Sequence, residues 1–176
     1  MLANLITRAF QLLFGAVVLG LSISAIKWQH FGSAPATSSY SAFAGAFGIL
    51  AALIGIAASF IDAIPDLIMA VVDALASVLL LAGGIAFAVG LKGVTCTDDV
   101  TTAYNSLLNG GCYGSGDKKL CGFPVQNYKG VLAGRCRTAE ADAAFLFLGF
   151  LASVAAAVLC FLASRRGGRG VKHSAV

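Results

Sequence analysis

Four long, uninterrupted apolar runs dominate this chain of 176 residues and restrict what it can fold into. A helix needs about 20 apolar residues to cross the ~30 Å hydrocarbon core of a bilayer. The runs at residues 9–26, 41–61, 67–91 and 141–163 meet that requirement. Because polar and apolar residues do not alternate along them, they predict spanning helices and not the strands of a barrel. The sequence therefore predicts an all-α integral membrane protein, a bundle of four transmembrane helices.

The composition excludes several other classes of protein. Hydrophobic residues make up 59% of the chain and charged residues only 11%, whereas soluble domains carry about 25% charged residues. Such a chain cannot cover its surface with polar groups, so an ordinary soluble domain, a disordered protein and a charge-driven nucleic-acid binder are all excluded. Membrane lipids are the expected partners.

The connections between the runs divide the chain into one membrane domain and a tail. Residues 1–163 form the predicted four-span domain, and residues 92–140 form its one long polar loop. Residues 164–176 form a short basic tail. The first run also resembles a signal peptide, but its 18 or so residues exceed the ~7–15 of a signal core, which favours a retained span.

The basic residues give a mixed indication of orientation. Four spans place both termini on one side, where five basic residues lie, against seven on the other side. Number alone therefore does not favour cytoplasmic termini under the positive-inside rule. The density of basic residues does favour cytoplasmic termini, because four of them fall within eight positions directly after the last run. These residues, which we expect to contact the anionic lipids of the inner leaflet, are Arg165, Arg166, Arg169 and Lys172.

Cysteines decide the orientation. Four of the five lie in the long loop, at Cys96, Cys112, Cys121 and Cys136. An even number in one polar loop predicts two disulfides in an oxidising compartment, with three possible pairings. A bridge between the outermost two would restrain the unfolded loop by roughly 4 kcal/mol in the chain-entropy model. A zinc site is the weaker interpretation because no CxxC spacing is present. We therefore place the loop outside the cell and both termini in the cytoplasm.

Asp73 is the one ionisable residue that the apolar pattern places well inside a span. A charged aspartate at a helix centre costs about 2.5–3.5 kcal/mol on insertion scales, so it needs a partner or a function. Arg8 enters the first span from the same side, which predicts an intramembrane pair. Asp73 either locks the bundle through that pair, contacts an amide or hydroxyl of a sphingolipid, or belongs to a proton or ion pathway.

Small residues recur at four-residue spacing in every run and predict close helix contact, since lipid gives helices no hydrophobic reason to associate. They serve either packing within the bundle or lateral association of copies. The glycines singled out for this role are Gly20, Gly48, Gly55, Gly84 and Gly149. Cys160, five residues before Arg165, is either a palmitoylation site or a buried free cysteine.

The sequence carries no pattern typical of an enzyme. No serine or cysteine has a histidine partner, no paired carboxylates stand with a base, and no phosphate-binding glycine loop occurs. The two histidines, His30 and His173, have no neighbours that would form a metal cluster. We expect no catalytic residues, no cofactor and no metal.

Several short stretches resemble the fungal non-classical export protein family. The most specific is Arg135-Cys136-Arg137, followed by an Ala-Glu-Ala stretch and an apolar segment rich in phenylalanine. Weaker similarity includes the Ala-Val-Gly-Leu-Lys stretch that ends at Lys92. In the helices it includes Arg8, Gln11, Phe14 and Asp73.

The resemblance implies a MARVEL-like fold and a role in the plasma membrane. That family organises membrane microdomains called eisosomes, responds to sphingolipid status and is linked to export of leaderless proteins. Sphingolipids, eisosome proteins or further copies of the chain would be partners. The family loop is shorter, with one cysteine pair that matches Cys96 and Cys136. Residues 110–129 here look inserted and add Cys112 and Cys121.

Two other functions stay open on the sequence. A small transporter or channel subunit would use Asp73 in a water-accessible cavity, although few other polar residues lie within the runs. A tetraspanin-like adaptor also carries cysteines in a long loop, but its Cys-Cys-Gly hallmark is missing here. The first choice remains a non-enzymatic organiser of the plasma membrane.

Overall fold

A computed structural model describes residues 2–60, 65–114, 120–121 and 128–170, with side chains omitted at 120–121, 128–129 and 166–170. Four of its helices are long and apolar enough to cross a membrane. This confirms the predicted four-helix architecture. The elements in chain order are α1 (Leu2–Lys27), α2 (Ala36–Ala58), α3 (Asp66–Gly90), α4 (Asp99–Tyr104), β1 (Cys112–Tyr113), β2 (Leu120–Cys121) and α5 (Tyr128–Gly170).

Prolines mark the starts of two spanning helices. Pro35 and Pro65 immediately precede α2 and α3, with extended backbone at ψ 135° and 133°. Proline has no N–H to lose at a helix start, where the first N–H groups have no partner within the helix. Helix α2 therefore begins five residues before the apolar run, because the polar residues after Pro35 do not prevent helix formation.

Helix α5 is much longer than the apolar run that predicted it. The predicted span was 141–163, with residues 92–140 as loop and 164–176 as tail, but the helix covers 43 residues from Tyr128 to Gly170. At 1.5 Å per residue it is about 65 Å long, twice the hydrocarbon thickness. The length of an apolar run indicates only which part of a helix crosses the hydrocarbon core. Residues with good helix propensity, such as Arg, Glu and Ala, continue the helix beyond it through polar surroundings. The end of the loop and the start of the tail are thus helical.

The core of the bundle lies where all four long helices meet. Val18 of α1, Ala44 of α2, Leu80 of α3 and Leu146 of α5 are buried in one cluster. Helices α1 and α2 approach most closely at two glycines. A Cβ on Gly45 would lie 2.9 Å from the backbone nitrogen of Leu19. Only glycine permits that approach, as expected for close helix contact.

The long loop forms a cap over the end of the bundle. A disulfide joins Cys96 to Cys136, with a Cα–Cα distance of 5.4 Å. Cys112 is also disulfide-bonded, and its backbone stands opposite Cys121 in the antiparallel pair β1–β2. The buried side chains Leu107 and Leu108 pack into the same core cluster as Cys136. The loop is therefore fixed to the bundle by covalent and apolar contacts.

Backbone and cation contacts extend the cap to the connection after α1. The carbonyl of Gly110 accepts from the N–H of His30 at 2.8 Å, and Gly110 has φ 77°, a conformation that favours glycine. Arg135 donates to the carbonyl of Leu108 at 3.0 Å and lies over the ring of Trp28, 5.6 Å from its centroid. The family-like Arg-Cys-Arg stretch thus contributes a buried arginine and a disulfide to the cap.

Candidate intramembrane polar site

Arg8 and Asp73 form an ion pair inside the bundle. The guanidinium Nη1 of Arg8 lies 2.5 Å from Asp73 Oδ1, and both side chains are 0% exposed. Nη1 also donates to Gln11 Oε1 at 3.0 Å, and Nη2 donates to Cys160 Sγ at 3.3 Å. One arginine therefore connects its own helix α1 with α3 and α5.

Gln11 extends this arrangement. Its amide nitrogen donates to Asp73 Oδ1 at 3.1 Å and to Ser153 Oγ at 3.1 Å. Helix α2 contributes space through Gly55, because a Cβ there would overlap the guanidinium of Arg8. All four spanning helices thus shape one site, which we call the inner network: Arg8, Gln11, Asp73, Ser153 and Cys160, with Gly55 as its wall.

The inner network can fix how the helices are aligned. Taking an arginine and an aspartate out of water is costly, and their attraction returns that cost only with good geometry and further hydrogen bonds. A helix that slid or rotated would leave a charge unpaired in an apolar medium, which is strongly destabilising. The contacts support the interpretation that Asp73 locks the bundle.

Two adjoining cavities lead from the end of the bundle to this network. The larger, of ≈ 330 Å³, is lined by residues from all four long helices and opens at the bundle end where α1 begins. The smaller, of ≈ 40 Å³, adds Arg8, Gly55 and Met69 to its walls. We call the two together the vestibule. The residues common to both cavities are Asn4, Ala58, Ser59, Asp66 and Cys160.

Hydrogen-bonding capacity is left over around the vestibule. Asn4 Nδ2 donates to Ser59 Oγ at 3.2 Å, but Asn4 Oδ1 is buried without a partner among the described residues. Within the part of the chain that the structure describes, Arg8 Nε and Asp73 Oδ2 are likewise buried without partners. Buried polar groups in proteins are almost always paired, so unpaired ones indicate water or a ligand.

A second buried carboxyl group was missed by the sequence argument. Asp142 is 1% exposed, and its Oδ2 accepts from Ser22 Oγ at 2.7 Å. Asp142 Oδ1 and the hydroxyls of Ser38 and Ser41 are buried without partners in the described structure. Asp142 stands second in its apolar run, where the sequence argument assigned it no role, and α5 begins 14 residues earlier.

An apolar layer separates the two polar groups of residues. Along α1 and α5 the core side chains fall between them: Val18 lies between Gln11 and Ser22, and Leu146 lies between Asp142 and Ser153. The described residues thus form no continuous polar path from one end of the bundle to the other.

The small residues singled out from the sequence occupy different surroundings. Gly55 faces Arg8, Gly84 faces Phe147 with a would-be Cβ distance of 3.1 Å, and Gly149 faces Leu80 at 3.3 Å. Gly48 has only an ordinary contact, and Gly20 has nothing within 4 Å. The close approach of α1 to α2 at Gly15 and Gly45 was not predicted.

Cys160 and the basic residues lie at the end of the bundle that carries the vestibule. The Cys160 thiol is buried and free, pointing at Arg8, so an acyl chain on it would have to enter the bundle. Arg165 is exposed, with Cζ 4.8 Å from the centroid of Phe161. Arg166 and Arg169 belong to α5 by their backbone, and Lys172 lies outside the described residues.

Among the described residues, one group has the composition of a metal site. Cys96, Cys136 and Glu140 place possible ligand atoms within 4.8 Å of one another. Two of the three atoms are the sulfurs of the disulfide, and metals bind thiolates. As long as the disulfide is intact, this group cannot bind a metal through its cysteines.

Comparison with known proteins gives one match. The model of a membrane-associating domain family, MARVEL, matches residues 1–159, which include α1 to α4 and most of α5. No curated protein and no solved structure matches the chain. The matched range covers the Asp142 site and every residue of the inner network except Cys160, which follows it directly.

Proposed function

The chain belongs to the MARVEL family of membrane-associating domains, and from that premise we propose that it is a non-enzymatic organiser of the plasma membrane. It would act through lateral packing and lipid preference, with no covalent chemistry. The observation that carries this proposal is the family match over residues 1–159, which include three of the spanning helices and most of the fourth. The arrangement of polar and apolar groups supports it further.

The bundle turns its charged and amide groups inward and its large apolar side chains outward. Arg8, Gln11 and Asp73 are buried, whereas each spanning helix exposes aromatic or branched side chains. Exposed apolar surface of this kind marks an interaction surface, here for lipid tails. Residues that are more than half exposed include Phe10, Leu13, Phe43, Leu50, Val78 and Leu151.

The finer part of the proposal comes from the resemblance to the fungal non-classical export family. It places the protein in eisosome microdomains, makes its distribution depend on sphingolipids and links it to unconventional protein export. Sphingolipids and eisosome proteins would be its partners. Gly20, whose side of α1 is open, would belong to a surface for association between copies.

We also propose that both termini lie in the cytoplasm. The Cys96–Cys136 disulfide supports this orientation, because disulfides persist in oxidising compartments. Arg165, Arg166, Arg169 and Lys172 would then face the anionic inner leaflet, where each base adds roughly 1 kcal/mol of attraction.

Imaging in living fungal cells tests the proposal. The protein carries a fluorescent tag after Val176 and is imaged before and after sphingolipid synthesis is blocked. We expect static cortical patches that disperse when sphingolipid synthesis is blocked. A uniform or internal signal that ignores the treatment would contradict the organiser role. A second multi-pass plasma-membrane protein, imaged alongside, controls for general damage to the membrane.

A small transporter or channel subunit is the second candidate, and the vestibule that reaches Arg8 favours it. The apolar layer around Leu80 and Leu146 weighs against a path through the described bundle. Asp73→Asn distinguishes the two. Transport predicts lost flux with unchanged localisation, whereas the organiser role predicts altered stability or patch formation.

A further inference from the structure

We propose that the vestibule binds the headgroup of a membrane lipid that carries a free primary amine. The inference concerns a site that the organiser role does not itself require. It rests on the proposed function only in placing this end of the bundle at a membrane surface. Four observations carry it: the depth of the vestibule, its size, its charge and the polar atoms it leaves unpaired.

The depth of the vestibule matches that of lipid headgroups. Its walls come from the start of α1 at Asn4, the end of α2 at Ser59, the start of α3 at Asp66 and the last third of α5 at Ala163. These are the ends of four spanning helices on one side of the bundle. A bilayer has its headgroup region at the ends of spanning helices. The volume of ≈ 330 Å³ lies within the range of about 300–1,000 Å³ for small-molecule sites.

The charge of the vestibule favours a cation. Arg8 is neutralised by Asp73 through their ion pair. Asp66 lines both cavities, and no basic side chain among those described forms an ion pair with it. The sum over Arg8, Asp73 and Asp66 is one negative charge. A ligand with one positive charge would balance it.

The unpaired atoms favour a primary amine over other cations. Asn4 Oδ1 is a buried acceptor without a donor among the described residues, and it lines the same cavity as the exposed Asp66. A primary ammonium group has three N–H donors for such acceptors, whereas a quaternary ammonium group has none. Arg8 Nε is a buried donor for which the described residues supply no acceptor, and an ester or phosphate oxygen next to the amine would accept from it. Ethanolamine- and serine-type headgroups have both features.

Binding of matched lipids to the purified full-length protein tests this proposal. Phosphatidylethanolamine and phosphatidylcholine with identical chains are titrated into the protein in detergent, and bound lipid is counted by native mass spectrometry. We expect the ethanolamine lipid to bind about tenfold more tightly, because hydrogen bonds to charged groups are the stronger ones. Equal affinities would overturn the proposal.

Two variants locate the binding. Asp66→Asn removes the charge at the mouth and leaves the Arg8–Asp73 pair intact, so the tenfold preference should disappear. Asp99→Asn is the matched control, since it removes the same charge from the first turn of α4, and the preference should persist.

Ala163→Phe fills the cavity without a charge change and should weaken binding, whereas Leu162→Phe, on an exposed neighbour, should not. Preference retained in Asp66→Asn and Ala163→Phe would place the lipid elsewhere and overturn the proposal.

A further binding experiment with a soluble compound distinguishes a membrane lipid from a free amine as the ligand. O-phosphoethanolamine has the same headgroup without chains, and the proposal expects it to bind far more weakly. Binding as tight as that of the lipid would overturn the assignment to a membrane lipid.

Labelling of Cys160, which lines both cavities, by a small thiol reagent should slow when the ethanolamine lipid is bound, with Cys160→Ala as the blank. Patch formation in cells is a separate readout, so failure of the organiser role would not be mistaken for failure of this site.

Discussion

Arg8 Nη1 and Asp73 Oδ1 lie 2.5 Å apart, between two side chains that are entirely buried and 65 positions apart in the chain. This contact joins the first spanning helix to the third. The same guanidinium reaches Cys160 of α5 and lies against Gly55 of α2. Four predictions follow from the contacts of the bundle.

Asp73→Asn should lower the free energy of unfolding by about 3–5 kcal/mol, because it leaves the positive charge of Arg8 buried without a counter-charge. Denaturant titration of the purified protein in detergent measures the loss. Replacing both residues, as in Arg8→Met with Asp73→Leu, should recover most of it, since an apolar pair of similar volume removes both charges. A double variant as unstable as the single one would contradict the pairing.

Asp142→Asn should be neutral or stabilising, in contrast to Asp73→Asn. Asp142 has a hydroxyl partner, Ser22, and no cation among its described contacts. The free energy lost when its charge is removed from water is therefore not offset by an ion pair. An amide keeps an oxygen to accept from Ser22 and removes the charge. The same titration measures the effect. A loss as large as that of Asp73→Asn would show that the carboxylate has a cationic partner.

Gly55→Ala should destabilise the bundle by about 1–3 kcal/mol, the usual cost of overpacking. The new methyl group would overlap the guanidinium of Arg8 and force it away from Asp73. Gly20→Ala is the matched control, because no atom lies within 4 Å of its would-be Cβ. The control should be unchanged or gain up to about 1 kcal/mol from helix propensity. Equal effects at both positions would contradict the close packing around Gly55.

Cys136→Ser should cost roughly 4 kcal/mol, because the Cys96–Cys136 bridge closes a long loop with a sequence separation of 40. Thermal unfolding, measured with and without reductant, gives the effect. Cys160→Ser is the control, since that thiol is free, and reductant should still destabilise it. If reductant affected wild type and Cys136→Ser equally, this bridge would not be the one that stabilises the loop.

The spans were predictable because membrane insertion depends on local composition. About 20 consecutive apolar residues fix a crossing wherever the neighbours lie, so all four spans were found. The ends of α5 could not be predicted, because polar residues such as Arg135 and Glu140 end an apolar run without ending a helix.

By itself the sequence determined the class of the protein, its four crossings and the few polar residues that needed partners, because transfer of each side chain into lipid is a local free energy. It also pointed to Arg8 and Asp73 as a pair, since two charges entering from one side have few alternatives. Only the tertiary structure decided that Gln11, Ser153 and Cys160 join them, and that Gly15 and Gly45 set the closest approach. Those contacts depend on how each helix is rotated and tilted against its neighbours, which follows from packing across the whole bundle.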